Sequence, residues 1–338
     1  MDRDNQLKEA PSSLVDPFGR TIDYLRLSVT DRCNLRCTYC MAEDMTFLPR
    51  QQILSLEELR DLALAFVELG IKKIRLTGGE PLVRRDIIKL VRSISNINGL
   101  EEITMTTNGM LLPKMAQQLR QAGLARLNIS VDSLKPNKFR EMTRNGDLTL
   151  WHEGIVAAKK ANFTKIKLNA VVLAGFNDDE VIDLAHFAVS NEMDISFIEE
   201  MPLGSMSTHD RSKTQVSSAN IREKLETKFH LIDSVETTGG PSRYSNVVGS
   251  TSKIGFISPM SNNFCESCNR VRMTAEGRLL LCLGNEHSAD LRSVMRSHPG
   301  DQDLLRNEIS KALKSKPERH YFDPNKIDIV RFMNMTGG

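Results

Sequence analysis

The sequence predicts an α/β chain of parallel strands joined by crossover helices, followed by an extension of different character. Three observations predict it. From about residue 24 to residue 200, short runs rich in branched residues alternate with amphipathic stretches. Polar turns separate the two kinds of segment. After Pro202 this rhythm gives way to loops rich in Gly, Ser and Asn.

The strand runs are 24–29, 73–76, 103–106, 126–131, 165–173 and 195–198, each with branched residues and little room for a helix. Between the first two, Ser55 and Glu58 have the form of a capping box. Leu59, Leu62, Ala63, Phe66 and Leu69 then recur at helical spacing, and Gly70 ends the helix. Helices at 86–94, 113–122, 151–161 and 178–190 continue the alternation. Such a series builds an open doubly wound sheet or a barrel, complete or partial, and periodicity does not choose between them. Beyond residue 202 a helix at 218–228 precedes the loop Gly239-Gly240-Pro241-Ser242, and helices at 290–297 and 304–314 precede the terminal Met335-Thr336-Gly337-Gly338. The chain thus divides into an N-terminal tail 1–17, a core 18–201 and a C-terminal region 202–338.

With 338 residues the chain can bury a substantial core. Its 45 Lys and Arg against 43 Asp and Glu leave a formal charge of +2, so no global field points to nucleic acid or an anionic membrane. The first twenty residues lack the apolar segment of a secretory signal, and no run has the eighteen or so apolar residues of a membrane span. A soluble, cytoplasmic protein is expected.

All six cysteines stand in two triplets, Cys33-x3-Cys37-x2-Cys40 and Cys265-x2-Cys268-x13-Cys282. A structural zinc site and an electron-transfer four-iron cluster each take four protein ligands, so three thiols suggest an iron left open for chemistry. No histidine lies near the first triplet; His287, five residues after Cys282, offers the second a Cys3His zinc site instead. In a βα protein the ligand site lies at the carboxyl ends of the strands. There the sequence places the first triplet, Thr77-Gly78-Gly79-Glu80-Pro81, Thr106-Thr107-Asn108-Gly109, and Asn128, Ser130 and Asp132. The two glycines of the second segment would let a ligand approach the backbone closely. Basic residues gather nearby: Arg26, Lys73, Arg75, Lys167, Arg270 and Arg272. Inward-pointing cations are costly unless they meet an anion such as a polyphosphate or carboxylate.

The first triplet, with Tyr39 before its last cysteine, and Gly78-Gly79-Glu80-Pro81 after the next strand resemble the radical S-adenosylmethionine superfamily. The second triplet, Asn269-Arg270-Val271-Arg272 and the terminal Gly-Gly are similar to its branch that cyclises GTP in molybdenum cofactor biosynthesis. The resemblance implies an incomplete (β/α)6 TIM-type barrel whose C-terminal extension carries a second iron–sulfur cluster. It implies two [4Fe-4S] clusters, on Cys33, Cys37 and Cys40 and on Cys265, Cys268 and Cys282, with S-adenosylmethionine at Tyr39, Gly79, Ser130 and Met201. GTP falls to Arg26, Arg75, Thr106, Lys167, Arg270, Val271 and Arg272, of which Arg26, Arg270 and Arg272 are the catalytic candidates. The implied reaction takes the ribose 3′ hydrogen of GTP by a 5′-deoxyadenosyl radical, joins C3′ to guanine C8 and gives 3′,8-cyclo-7,8-dihydroguanosine 5′-triphosphate.

An unidentified one-electron donor and a homodimer are implied as partners, and the Gly337-Gly338 tail is implied to reach the active site. Ser196 departs from members with arginine at that strand-six position, which removes one candidate phosphate ligand. The alternatives are a radical enzyme modifying a peptide or RNA through an auxiliary cluster, and a zinc-stabilised nucleotide-binding protein. Iron and sulfide content separates the last from the others.

Overall fold

Strand β1 (Tyr24–Ser28) and helix α1 (Leu56–Glu68) begin the alternation. It continues through β2 (Lys73–Thr77), α2 (Ile87–Ser95), β3 (Glu102–Thr107), α3 (Leu112–Gln121) and β4 (Arg126–Ser130). After these come α4 (Pro136–Thr143), α5 (Leu148–Lys160), β5 (Ile166–Val172), α6 (Val181–Ser190) and β6 (Asp194–Glu199). The computed structural model describes residues 13–204, 210–320, 322 and 329–336; Gly337 and Gly338 lie outside them. The six expected strands lie where the branched runs place them. The capping box at α1 is complete: Glu58 N donates to Ser55 Oγ at 3.1 Å, and Ser55 N donates to Glu58 Oε2 at 2.7 Å. Helix α4, with Pro136 in its first turn, is not among the expected elements.

The C-terminal region contributes α7 (Arg211–Thr214), α8 (Ser218–Glu226), β7 (Leu231–Asp233), β8 (Arg243–Val247), β9 (Lys253–Ile257), β10 (Arg270–Met273), β11 (Arg278–Leu280) and β12 (Ser288–Asp290). Helices α9 (Leu291–Ser297), α10 (Gln302–Leu313) and α11 (Met333–Thr336) complete it. Its strands form no separate layer. The sheet order is β12-β11-β10-β1-β2-β3-β4-β5-β6-β9-β8-β7, with β10 parallel to β1 at one side and β9 parallel to β6 at the other. Antiparallel strands finish both edges. Strands β12 and β7 end the order without pairing to each other, so the parallel core is an incomplete barrel.

One face of the core strands is apolar. Leu25, Leu27, Ile74, Leu76, Met105, Leu127, Ile129, Leu168, Ala170, Ile195 and Phe197 on this face are fully buried. Helix α1 packs on α2 and α10, α3 on α5, and α6 on α8. Burying each large side chain stabilises by about 1.5–3 kcal/mol, so this face holds the fold together. The other face is free to serve a ligand. No helix among the described residues is long and apolar enough to cross a membrane.

Candidate active site

Alternation puts Tyr24, Arg26 and Ser28 on the second face, and the register carries that face around the sheet. Arg272, Arg26, Arg75 and Thr104 are partners in one row. Thr106, Asn128 and Lys167 form a second, and Ser130, Asn169, Ser196 and Gly255 a third. Lys73 and Arg126 both pair with Glu102. Among the described residues no carboxylate pairs with Arg75, Lys167 or Arg270. Arg75 instead donates from Nε to Tyr24 OH and from Nη1 to Thr106 Oγ1 at 3.3 Å, and Lys167 Nζ donates to Tyr244 OH at 3.0 Å.

Crowding of cations shows in the acidities. Burial, then Arg272 and the other nearby arginines, drive Arg26 well below its usual pKa, and burial with Arg270 lowers Arg272 to about 10. Burial works against ionisation of Tyr24, yet Arg75 and Arg26 outweigh it and draw the phenol down to about 7. Thr104 Oγ1, Asn128 Oδ1, Asn169 Oδ1 and Arg270 Nε are buried with no hydrogen-bond partner among the described residues. Such groups are rare unless a ligand or water meets them. The rows therefore fit a polar, polyanionic guest.

The first cysteine loop follows β1 and leans on the turn after β2. Gly79 N donates to Thr30 O and Glu80 N to Arg32 O, both at 2.8 Å. A Cβ on Gly78 would stand 2.6 Å from Thr30 O, and one on Gly79 2.4 Å from Arg32 O. The glycines thus admit the cysteine loop itself, and both also line the cavity where a close ligand approach is expected of them. Buried Glu80 fastens the next turn by accepting from Asn108 N at 2.7 Å and Thr107 Oγ1 at 2.8 Å; burial raises its pKa to about 7. Tyr39 OH donates to Asp132 Oδ2 at 2.7 Å, and Val171 N donates to Oδ1 at 2.9 Å. Asn334 of α11 donates from Nδ2 to Asp31 O at 3.0 Å. Burial pushes the Cys33 thiol up to about 11, Cys40 to about 12 and Cys37 well above its usual value. Thiols so buried ionise when a metal takes the thiolate.

The second triplet lies before and after β10 and β11. Cys265 Sγ is 3.0 Å from His320 Nδ1, whose Nε2 is 2.9 Å from Pro259 O. Lys316 Nζ approaches Cys268 Sγ at 3.7 Å and donates to Arg270 O at 3.1 Å. Burial opposes ionisation of Cys268, but Lys316 and Arg270 outweigh it and lower the thiol. Arg20 donates to Cys265 O at 2.8 Å, Glu318 O at 2.6 Å and Pro317 O at 2.7 Å. The histidine beside this triplet is His320, whereas His287, the sequence candidate, is exposed.

All six cysteines line one cavity of about 280 Å³. Tyr39, Gly79, Ser130 and Met201 line it, as do Arg26, Thr106, Arg270, Val271 and Arg272. Arg75 and Lys167 do not; they are turned toward the phenols of Tyr24 and Tyr244. Sequence reasoning missed Asp132 as the partner of Tyr39, together with His320, Lys316, Arg20 and Tyr244; long-range contacts of this kind leave no spacing signal. No three His, Cys, Asp or Glu side chains among the described residues converge on a single ion-sized point. A four-iron cluster asks for less convergence, because each thiolate takes its own iron. Three thiols on a cavity suit such a cluster with one iron left for a ligand.

An incomplete parallel barrel with a three-cysteine loop after its first strand defines a radical S-adenosylmethionine enzyme. The Radical SAM superfamily model matches residues 27–188, and the Molybdenum Cofactor Synthesis C model matches residues 193–322. A GTP 3′,8-cyclase of Pseudomonas entomophila is 57% identical over 334 residues, covering 98% of this chain and all of that protein. Another, of Marinobacter nauticus, is 58% identical over 326 residues, covering 96% of this chain and 98% of its own length. The chain belongs to the GTP 3′,8-cyclase family. Among solved structures, Streptococcus suis SuiB bound to S-adenosylmethionine superposes with a TM-score of 0.57 at 14% identity, covering 88% of this chain and 69% of that one. At that identity the likeness is one of fold.

Proposed function

We propose that the cavity takes S-adenosylmethionine at the first cysteine triplet and GTP between the second triplet and the cationic rows. The enzyme is a radical cyclase that converts GTP to (8S)-3′,8-cyclo-7,8-dihydroguanosine 5′-triphosphate, the first step of molybdenum cofactor biosynthesis. One observation carries the residue-level reading: both triplets open on a single cavity with Arg26, Arg270 and Arg272 on its wall. The two cofactor positions and a nucleotide are thereby in reach of one another.

In this reading Cys33, Cys37 and Cys40 hold the first four-iron cluster, and Cys265, Cys268 and Cys282 hold a second. When bound, the first cluster and S-adenosylmethionine supply the electron and the carbon radical that takes the ribose 3′ hydrogen. The chain's own residues aim and shelter that chemistry. Tyr39, Gly79, Ser130 and Met201 form the wall for S-adenosylmethionine, with Tyr39 fixed by Asp132. Arg26, Arg75, Thr106, Lys167, Arg270, Val271 and Arg272 receive GTP. Its triphosphate relieves the crowding of cations, and forked guanidinium donors suit phosphate oxygens. Arg26, Arg270 and Arg272, on the cavity wall, are the groups placed to stabilise charge during cyclisation.

The reading includes an external one-electron donor and a homodimer, both carried by the family resemblance, and a cytoplasmic setting that suits oxygen-sensitive clusters. The test is an anaerobic single turnover of the iron- and sulfide-loaded protein with S-adenosylmethionine, dithionite and GTP deuterated at C3′. Deuterium in the 5′-deoxyadenosine, with an isomer of GTP formed alongside, is expected. Unlabelled 5′-deoxyadenosine and unchanged GTP would refute the substrate.

A further inference from the structure

Tyr244 is a buried phenol on β8, three strands away from Lys167 on β5, with β6 and β9 between them. It reaches Lys167 because the intervening positions on this face are Gly255 and Ser196. A Cβ on Gly255 would stand 2.2 Å from Ser242 Oγ, 2.7 Å from Ser196 Oγ and 2.9 Å from Tyr244 Cε1. The missing side chain is thus the passage through which Ser242 and Tyr244 cross the sheet. Ser196 Oγ and Ser242 Oγ hydrogen-bond at 2.9 Å, and Tyr244 OH meets Thr238 Oγ1 at 3.1 Å and Lys167 Nζ at 3.0 Å. Thr238 O also accepts from Lys73 Nζ at 3.0 Å. Thr238 of the loop between β7 and β8 and Tyr244 of β8 therefore hold one lysine each, Lys73 and Lys167.

Lys167 lies two residues toward the N-terminal end of β5 from Asn169, which lines the cavity. Its ammonium is therefore set below the first cysteine triplet, and five strands round the sheet from β10 beside the second, where the far end of an extended nucleotide would arrive. An ammonium has three donors; one spent on a phenol fixes its direction and leaves two for phosphate oxygens. We propose that Tyr244 is a positioning residue for the terminal phosphates of the nucleotide, acting by fixing the direction of the Lys167 ammonium. The small residue at 196 belongs to this arrangement, since a long side chain there would occupy the path of Tyr244.

This inference rests on the GTP reading above, and the test separates the two. Kd values for GTP, GDP and GMP are measured by anaerobic equilibrium dialysis on the cluster-loaded protein. Tyr244→Phe is expected to weaken GTP about tenfold, the value of one hydrogen bond to a charged group, while GMP changes less than about twofold. In a Lys167→Gln background the same substitution should add nothing, because the phenol acts through the ammonium. Gly255→Ala, whose methyl would push Ser242 and Tyr244 aside without removing the phenol, should reproduce the selective loss and serves if Tyr244→Phe does not fold. Equal weakening of GTP and GMP, or a tenfold loss that persists without Lys167, overturns the inference alone. A wild-type protein that does not prefer GTP to GMP overturns the nucleotide reading and this inference with it.

Discussion

Asp132 shows what a single buried carboxyl does here. Burial raises its pKa from 3.8 to about 6, against the hydrogen bonds from Tyr39 and Val171. Between those values the folded chain keeps a proton that the unfolded chain has released, so stability falls as pH rises through the window and the loss persists above it. Two units correspond to about 3 kcal/mol at most. Asparagine at 132 can still accept from Val171 N and can donate to the Tyr39 oxygen. Asp132→Asn is therefore expected to flatten the fall of the melting temperature between pH 4 and 6; parallel wild-type and variant curves would show that this carboxyl is not the cause. At this scale the cysteine triplets and the shared faces of Lys73 with Arg75 and of Arg270 with Arg272 were legible because ligand spacing and strand alternation are local patterns, whereas Tyr39 was marked only by the family resemblance. Asp132 lies 93 residues from Tyr39, and His320 lies 55 from Cys265, separations that carry no pattern at all.

Elements follow the same division. Helix α1 is written in the sequence twice over, by its capping box and its apolar stripe, and the core strands by their branched runs. Strands β7 and β12 have three residues each, too few for a period to register, and they exist because neighbouring strands accept them. The cysteine loops are likewise held by distant segments, the second by Arg20, which also pairs with Asp16. Arg20→Ala removes one cation that serves three carbonyls of the second loop and of residues 317–318, and should cost about 2–4 kcal/mol of stability. Iron at the second triplet should leave first under mild chelation, while the first triplet retains its share. Lysine at 20 should not restore retention, because an ammonium cannot span the fork of acceptors. Equal iron loss from both sites would show that Arg20 supports the fold generally rather than this loop.

The whole molecule depends on a sheet whose two sides are finished by one late stretch of chain. Strand β10 covers the open side of β1, β9 covers that of β6, and α10 packs its buried Leu305, Ile309 and Leu313 near α1. The boundary between the two family models falls between residues 188 and 193, yet β6, the last strand of the core, belongs to the second match. The sequence shows a change of rhythm at 202 but cannot show that the later strands pair back across the molecule, since that pairing is nonlocal. A fragment of residues 18–201 would expose unpaired backbone on β1 and β6, together with the apolar surface of α1 that α10 meets, conditions that favour edge-to-edge association. It should give no cooperative thermal transition and should aggregate at concentrations where the full chain stays monomeric or dimeric. A sharp, reversible melt of that fragment would instead make the parallel core an independent domain and reduce the C-terminal region to a carrier of the second cysteine triplet.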